Sequence, residues 1–187
     1  MQTREDHRSR QPTTIAINVN VGLEPAAWQG FFGAVAAASA ALAGLFFVAI
    51  SLRPDEIGTH PVLRYRARSN LQNLLLILAI SLIVLIPGQS AVVLGVELLL
   101  VVVLMTALGI AGAIQMYSRA ERVLGGVHVR LAIALVSALF ALAAGVSLIV
   151  GSGPGLYLDV PAVVFALPAS GWMAWQVVFP PEMRLKS

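Results

Sequence analysis

Apolar positions gather into long unbroken runs, not into the short alternating or one-faced patterns of soluble strands and helices. The first run extends from Trp28 to Leu52, the third from about Ala91 to Met116, the fourth from Leu131 to Val150 and the fifth from Val160 to Phe179. A shorter second run, from about Leu71 to Ile86, is closed by the turn signal Pro87-Gly88. A helix needs about 20 apolar residues to cross the hydrocarbon core of a bilayer. The pattern therefore predicts an all-α, polytopic transmembrane bundle over residues 28–179, with five spans. Four is the alternative count, if the short second segment enters the membrane and turns back.

Residues 1–27 form a polar N-terminal tail and residues 180–187 a polar C-terminal one. Within the first tail Ile15, Ile17, Val19, Val21 and Leu23 alternate with smaller or polar residues. That period of two reads as a short extended strand that docks on a partner, or as chance alternation in a floppy tail. The A-x-A triplets of the first run imitate a signal-peptidase site. The preceding segment is long and electrically balanced, however, and the run exceeds a signal-peptide core, so the run is expected to be retained.

Composition narrows the class further. Of the 187 residues, 58% are hydrophobic and 11% charged, with a mean hydropathy of +0.86. A soluble domain carries about 25% charged residues, which excludes a water-exposed globule. Disorder is excluded by the same figures. There is no cysteine, hence no disulfide framework, thiolate zinc site or cysteine nucleophile. The pI of about 10 would suggest nucleic acid for a soluble protein. Here the arginines flank apolar spans and point to anionic lipid headgroups, with no nucleic-acid partner.

The arginines also orient the chain. Arg53, Arg64, Arg66 and Arg68 lie between the first two spans, Arg119, Arg122 and Arg130 between the third and fourth, and Arg184 and Lys186 after the fifth. Five spans put all of these on one face. By the positive-inside rule that face is cytoplasmic, the N-terminus is outside and the C-terminus inside. Trp28 and Tyr157 then fall at outer ends and Tyr117 and Trp175 at inner ends, as interfacial belts do. The expected location is the cytoplasmic (inner) membrane, and any homo-oligomer should be parallel.

Within the spans, Glu97 is the outstanding group, about 9 Å below the outer end of its helix at 1.5 Å per residue. Ionisable residues at such depth are functional candidates by default. Its helical neighbours Val93, Leu94, Leu100 and Val101 are apolar and no Lys or Arg matches its depth, so Ser147, Gln89 or water must bond it. One reading is a carboxyl that pins two helices, the other a carrier of protons or cations.

Gly30, Gly33, Ala37, Ala41 and Gly44 form a small-residue stripe expected to pack against an internal neighbour, the other reading being a partner protein. Pro168, followed by Ser170 and Gly171, predicts a mid-membrane kink, and Trp172, Trp175 and Gln176 share one face below it. Such a kink supplies a hinge or cavity in some transporters. Asn70 and Asn73 read as a helix cap or as bonds between spans. Arg64, Arg66 and Arg68, with Tyr65, read as a lipid-headgroup anchor or, failing that, a docking patch.

Metal ligands are thin. Asp55, Glu56 and His60 lie on one loop, and Glu121 and His128 on the next, without a recognised ligand motif. No P-loop, nucleophile elbow or dinucleotide fingerprint is present. No Asp sits well inside an apolar run, so an aspartyl protease is not expected. The chain is read as a non-enzyme with no cofactor, metal site or catalytic residue.

The segment Trp28…Phe31-Phe32 with Ala40-Ala41-Leu42-Ala43-Gly44-Leu45-Phe46-Phe47-Val48-Ala49-Ile50-Ser51-Leu52 resembles an uncharacterised family of small multi-span bacterial integral membrane proteins. Arg66-Ala67-Arg68 and Leu85-Ile86-Pro87-Gly88-Gln89, followed by Glu97, add to the likeness over residues 28–116. The resemblance implies a bacterial membrane setting and no catalytic residue. Two functions are open at this point. One is an accessory or scaffold protein that works through helix packing against a larger membrane partner. The other is a small oligomeric transporter or ion-coupled channel that uses Glu97.

Overall fold

A computed structural model describes residues 19–52, 54–59, 61–117 and 127–178. Its elements are α1 (Val19–Gly22), α2 (Gln29–Ser51), α3 (Pro54–Thr59), α4 (Pro61–Val84), α5 (Ala91–Tyr117), α6 (Val127–Val150) and α7 (Asp159–Val178). Single 3-10 turns, Pro25–Trp28 and Gly155–Leu158, lead into α2 and α7. There is no strand among the described residues, and five helices are long and apolar enough to cross a membrane. The protein is a five-span helical bundle.

Local chemistry explains the breaks. Pro54 and Pro61 open α3 and α4, where the missing N–H costs nothing. Gly88, at φ 72°, supplies the left-handed residue of the turn after α4. Gly151, at φ 67°, ends α6, and the Ser152 N–H donates to the Ser147 carbonyl at 3.3 Å. That six-to-one bond over a left-handed residue is a Schellman cap.

The second span differs most from expectation. Its helix starts at Pro61, ten positions before Leu71, and the membrane-competent stretch is Leu63–Val84, 22 residues long. The four-span alternative therefore falls. Arg64, Arg66 and Arg68 ride on the first turns of α4 and do not lie in a loop. Arginine is a good helix former whose stem lies along apolar surface while its head reaches water, so the charges hide a helix without breaking it. Asn70 and Asn73 consequently lie deep in α4 and do not cap it.

The helix α4 is the hub, packed against α2, α5 and α7, while α6 packs on α5 and α7. Phe32, Ile80, Val84, Leu94, Leu98 and Leu148 are buried at the centre of the main core. Leu45, Phe47, Leu100, Leu139 and Phe165 are exposed on the outside. A belt of that kind would make a soluble protein aggregate, and it fits a surface that faces lipid.

Small residues bring α5 and α6 together, at a different place from the one expected. A Cβ added to Gly95 would fall 2.7 Å from the Gly145 carbonyl oxygen, and one on Gly145 would fall 3.1 Å from that of Gly95. Two backbones touch there, with Ala141 and Ala144 buried alongside. The stripe on α2 does not pack internally. The buried side of α2 is Phe32, Val35, Ala36, Ser39 and Phe46. Gly30, Ala37, Ala41 and Gly44 are exposed and Gly33 half-buried, and a Cβ on any of the three glycines would touch nothing. Large apolar side chains won the inner face because they bury more area.

At the Trp28 end, the described part of the expected strand is the helical turn α1, while residues 15–18 lie outside the described residues. Gly22 and Gly155 pass so close that a side chain on either would collide with the other strand of backbone. The Trp28 indole donates to the Val21 carbonyl at 2.9 Å, and its ring meets Tyr157 edge-on at 4.6 Å. Trp28 is thus buried in a cap over the bundle and is not an interfacial anchor.

Candidate functional site

The described helices α4, α5, α6 and α7 enclose a chamber of about 170 Å³. It exists because two facing helices offer little volume: α6 contributes Ala134, Ser137, Ala138 and Ala141, and α7 contributes Ala162, Ala166 and Ala169. Ile110, Ile133 and Leu135 line it and are exposed, which marks its open side towards the end of the bundle that carries Arg64 and Arg68.

Polar groups cluster in that half. Asn73 Nδ2 donates to Ser170 Oγ at 2.7 Å, joining α4 to α7. Gln72 Nε2 donates to the Met105 carbonyl at 2.9 Å, joining α4 to α5. One turn below Asn73, Asn70 is 1% exposed, and neither its amide nitrogen nor its oxygen has a partner among the described residues. Ser39 and Ser81, equally buried, bond carbonyls of their own helices instead. An unmade bond on a buried amide costs about 1–3 kcal/mol, and Asn70 lines the chamber.

A carboxyl stands at the other end. Asp159, the first residue of α7, lines the chamber, is 1% exposed and leaves Oδ2 without a partner among the described residues. Eleven positions separate it from Ser170, about 17 Å along the helix. Between these poles the walls are apolar, with Leu76, Ile77, Ile80, Val102 and Val163. No Lys, Arg or His is among the described lining residues.

The residues singled out in the sequence mostly lie elsewhere. Glu97 is half-buried, does not line the chamber and accepts a hydrogen bond from Gln89 Nε2. Of its two side-chain candidate partners the turn amide is the one engaged, and the bond ties the α4–α5 turn to α5. Ser147 is occupied otherwise: its hydroxyl donates to the Ser152 carbonyl at 2.6 Å and accepts from the Gly155 N–H at 2.9 Å. Pro168 is exposed, α7 runs through it, and the chamber is lined by its neighbours Ala169 and Ser170. Gly171 is half-buried and also off the lining. Trp172 and Trp175 are exposed, and the side chain of Gln176 lies outside the described residues.

Arg64 and Arg68 are exposed and Arg66 half-buried, and the Arg64 guanidinium donates to the Gly58 carbonyl. Tyr65 lines the chamber's open half. Among the metal-ligand candidates, His60 and Glu121 and the side chains of Glu56 and His128 lie outside the described residues. Among the described residues no three His, Cys, Asp or Glu come together.

Asp159 is the residue the sequence reading missed. It looks like loop because it precedes the apolar run, yet it belongs to the membrane-competent segment Gly155–Trp175. The signal was present in the helical spacing of Asp159, Ala162, Ala166 and Ser170, one small or polar face on an otherwise bulky span. Comparison with family models, with curated proteins and with solved structures finds no match to this chain.

Proposed function

We propose that the protein is a small multi-pass transporter or channel of the cytoplasmic membrane, with the chamber between α4, α5, α6 and α7 as its solute route. The arginine-bearing end faces the cytoplasm in this reading. The observation that carries it is Asn70, a buried amide among the chamber's lining residues whose two polar atoms have no partner among the described residues. A purely structural bundle gains nothing from leaving such a group unpaired in an apolar setting. The carboxyl involved is Asp159, and Glu97 acts as a fastener. No reacting residue is assigned, and the protein works by binding and passage without chemistry.

The test is flux. Protein reconstituted into liposomes is expected to accelerate entry of at least one member of a panel of small cations and polar solutes, and Asn70→Leu is expected to lower that rate at least tenfold. A flat response across the panel overturns the reading. A second reading, an accessory protein that packs against a larger membrane partner, is favoured by the outward-facing stripe Gly30, Gly33, Ala37, Ala41 and Gly44. It predicts that a Gly33→Leu variant folds normally but no longer copurifies with such a partner.

A further inference from the structure

Among the described lining residues the chamber has one acid and no base. Asp159 brings a carboxyl to the end away from Ser170, 1% exposed and with one oxygen that has no partner among the described residues, and the described lining residues include no positive side chain. A solute that carries a positive hydrogen-bonding head would satisfy that oxygen, whereas an anion would meet repulsion in a low-dielectric setting. The walls include Ile80, Ala141, Ala162 and Val163, whose side chains offer no group to coordinate a bare metal ion. A hydrated inorganic cation would lose its water there with nothing to replace it. An apolar stem, in contrast, gains from the same walls. The volume of about 170 Å³ is close to that of an apolar cavity, about 150 Å³, that holds one benzene-sized molecule.

From these features we infer that the chamber binds a small primary alkylammonium ion, head at Asp159 and stem along the belt towards Asn73 and Ser170. This rests on the reading of the chamber as a solute route. Selectivity then comes from two independent sources, charge at one end and apolar length along the belt.

The experiment is calorimetric titration of the full-length protein in nanodiscs with hexylamine, hexanol and hexanoate, each referenced to nanodiscs without protein. Hexylamine is expected to bind at least tenfold tighter than hexanol, and hexanoate not to bind. Affinity should rise about fourfold per methylene from butylamine to hexylamine, the ratio that corresponds to about 0.8 kcal/mol per buried methylene. Asp159→Asn should weaken hexylamine at least tenfold and leave hexanol within twofold, which also certifies that the variant is folded. Equal binding of amine and alcohol by the native protein overturns the inference, and so does an Asp159→Asn variant that keeps the preference. Should that variant fail to fold, the native amine-to-alcohol ratio decides alone. If none of the three compounds binds, the inference falls, while the solute-route reading stands or falls by the liposome flux, so the two failures are distinguished.

Discussion

Asn73 donates to Ser170 across 2.7 Å, although 97 positions separate them in the chain. This bond joins the hub helix to the last span and forms part of the chamber wall. In membrane proteins a pair of this kind couples by about 0.6 kcal/mol on average, and by at most about 1.7. A double-mutant cycle of Asn73→Ala and Ser170→Ala, read by reversible unfolding in bicelles, should return a coupling in that range. A coupling of zero would mean that the pair does not form in lipid.

The Gly95–Gly145 crossing should be far less tolerant than the α2 stripe. Gly145→Leu places a side chain where Leu99 and the Gly95 carbonyl oxygen already stand at 3.0 and 3.1 Å from a mere Cβ. Helices α5 and α6 must then separate, and overpacking of this kind costs about 1–3 kcal/mol or more. Gly33→Leu adds a side chain into open space and should change stability by less than about 0.5 kcal/mol. Thermal unfolding of the two variants in detergent checks the contrast.

Glu97 should prove dispensable for passage. Its carboxylate accepts from Gln89 Nε2, and an amide oxygen can accept the same bond. Glu97→Gln is therefore expected to leave liposome flux unchanged and stability within about 1 kcal/mol, the ordinary net worth of one hydrogen bond. Loss of flux in a variant that is folded and as stable as the native protein would return the carboxyl to the solute route.

The contrast between Glu97 and Asp159 shows what the sequence could and could not reveal. Span count is written in the apolar runs, since no other arrangement satisfies so many apolar residues, and five spans are found. Glu97 stands out in the sequence because it interrupts such a run, and in the structure it accepts a bond from Gln89 away from the chamber lining. Asp159 borders its run and so resembled loop, yet its side chain faces inwards. Facing is a property of neighbouring helices, and it decides which small residues pack and which look out. The stripe on α2 and the pair Gly95 and Gly145 have the same composition and opposite surroundings. The start of α4 was hidden for another reason: charged residues lower the hydropathy of its first turns without ending the helix.

Topology is open to a direct test because the chain contains no cysteine. Single cysteines at Ser152 and Asp55, both exposed positions, lie at opposite ends of the bundle. In intact cells a membrane-impermeant thiol reagent should label Ser152→Cys and spare Asp55→Cys until the membrane is opened. The reverse pattern would invert the orientation read from the arginines.

Filling the chamber should separate passage from stability. Ala138 lies in the apolar belt, with its side chain buried against the chamber. Ala138→Leu adds three carbons to a space of about 170 Å³, enough to narrow the belt without forcing α6 from its neighbours. New apolar contacts inside a cavity stabilise, by the same relation that makes cavity creation costly at about 24 cal/mol per Å³. The variant should therefore unfold at the native temperature or a few degrees above it, and its flux in liposomes should fall at least tenfold. Asn70 and Asp159 are untouched by this change, so a loss of flux reports blockage of the route and not removal of a polar group. Native flux in a folded Ala138→Leu variant would show that solutes do not pass through the belt.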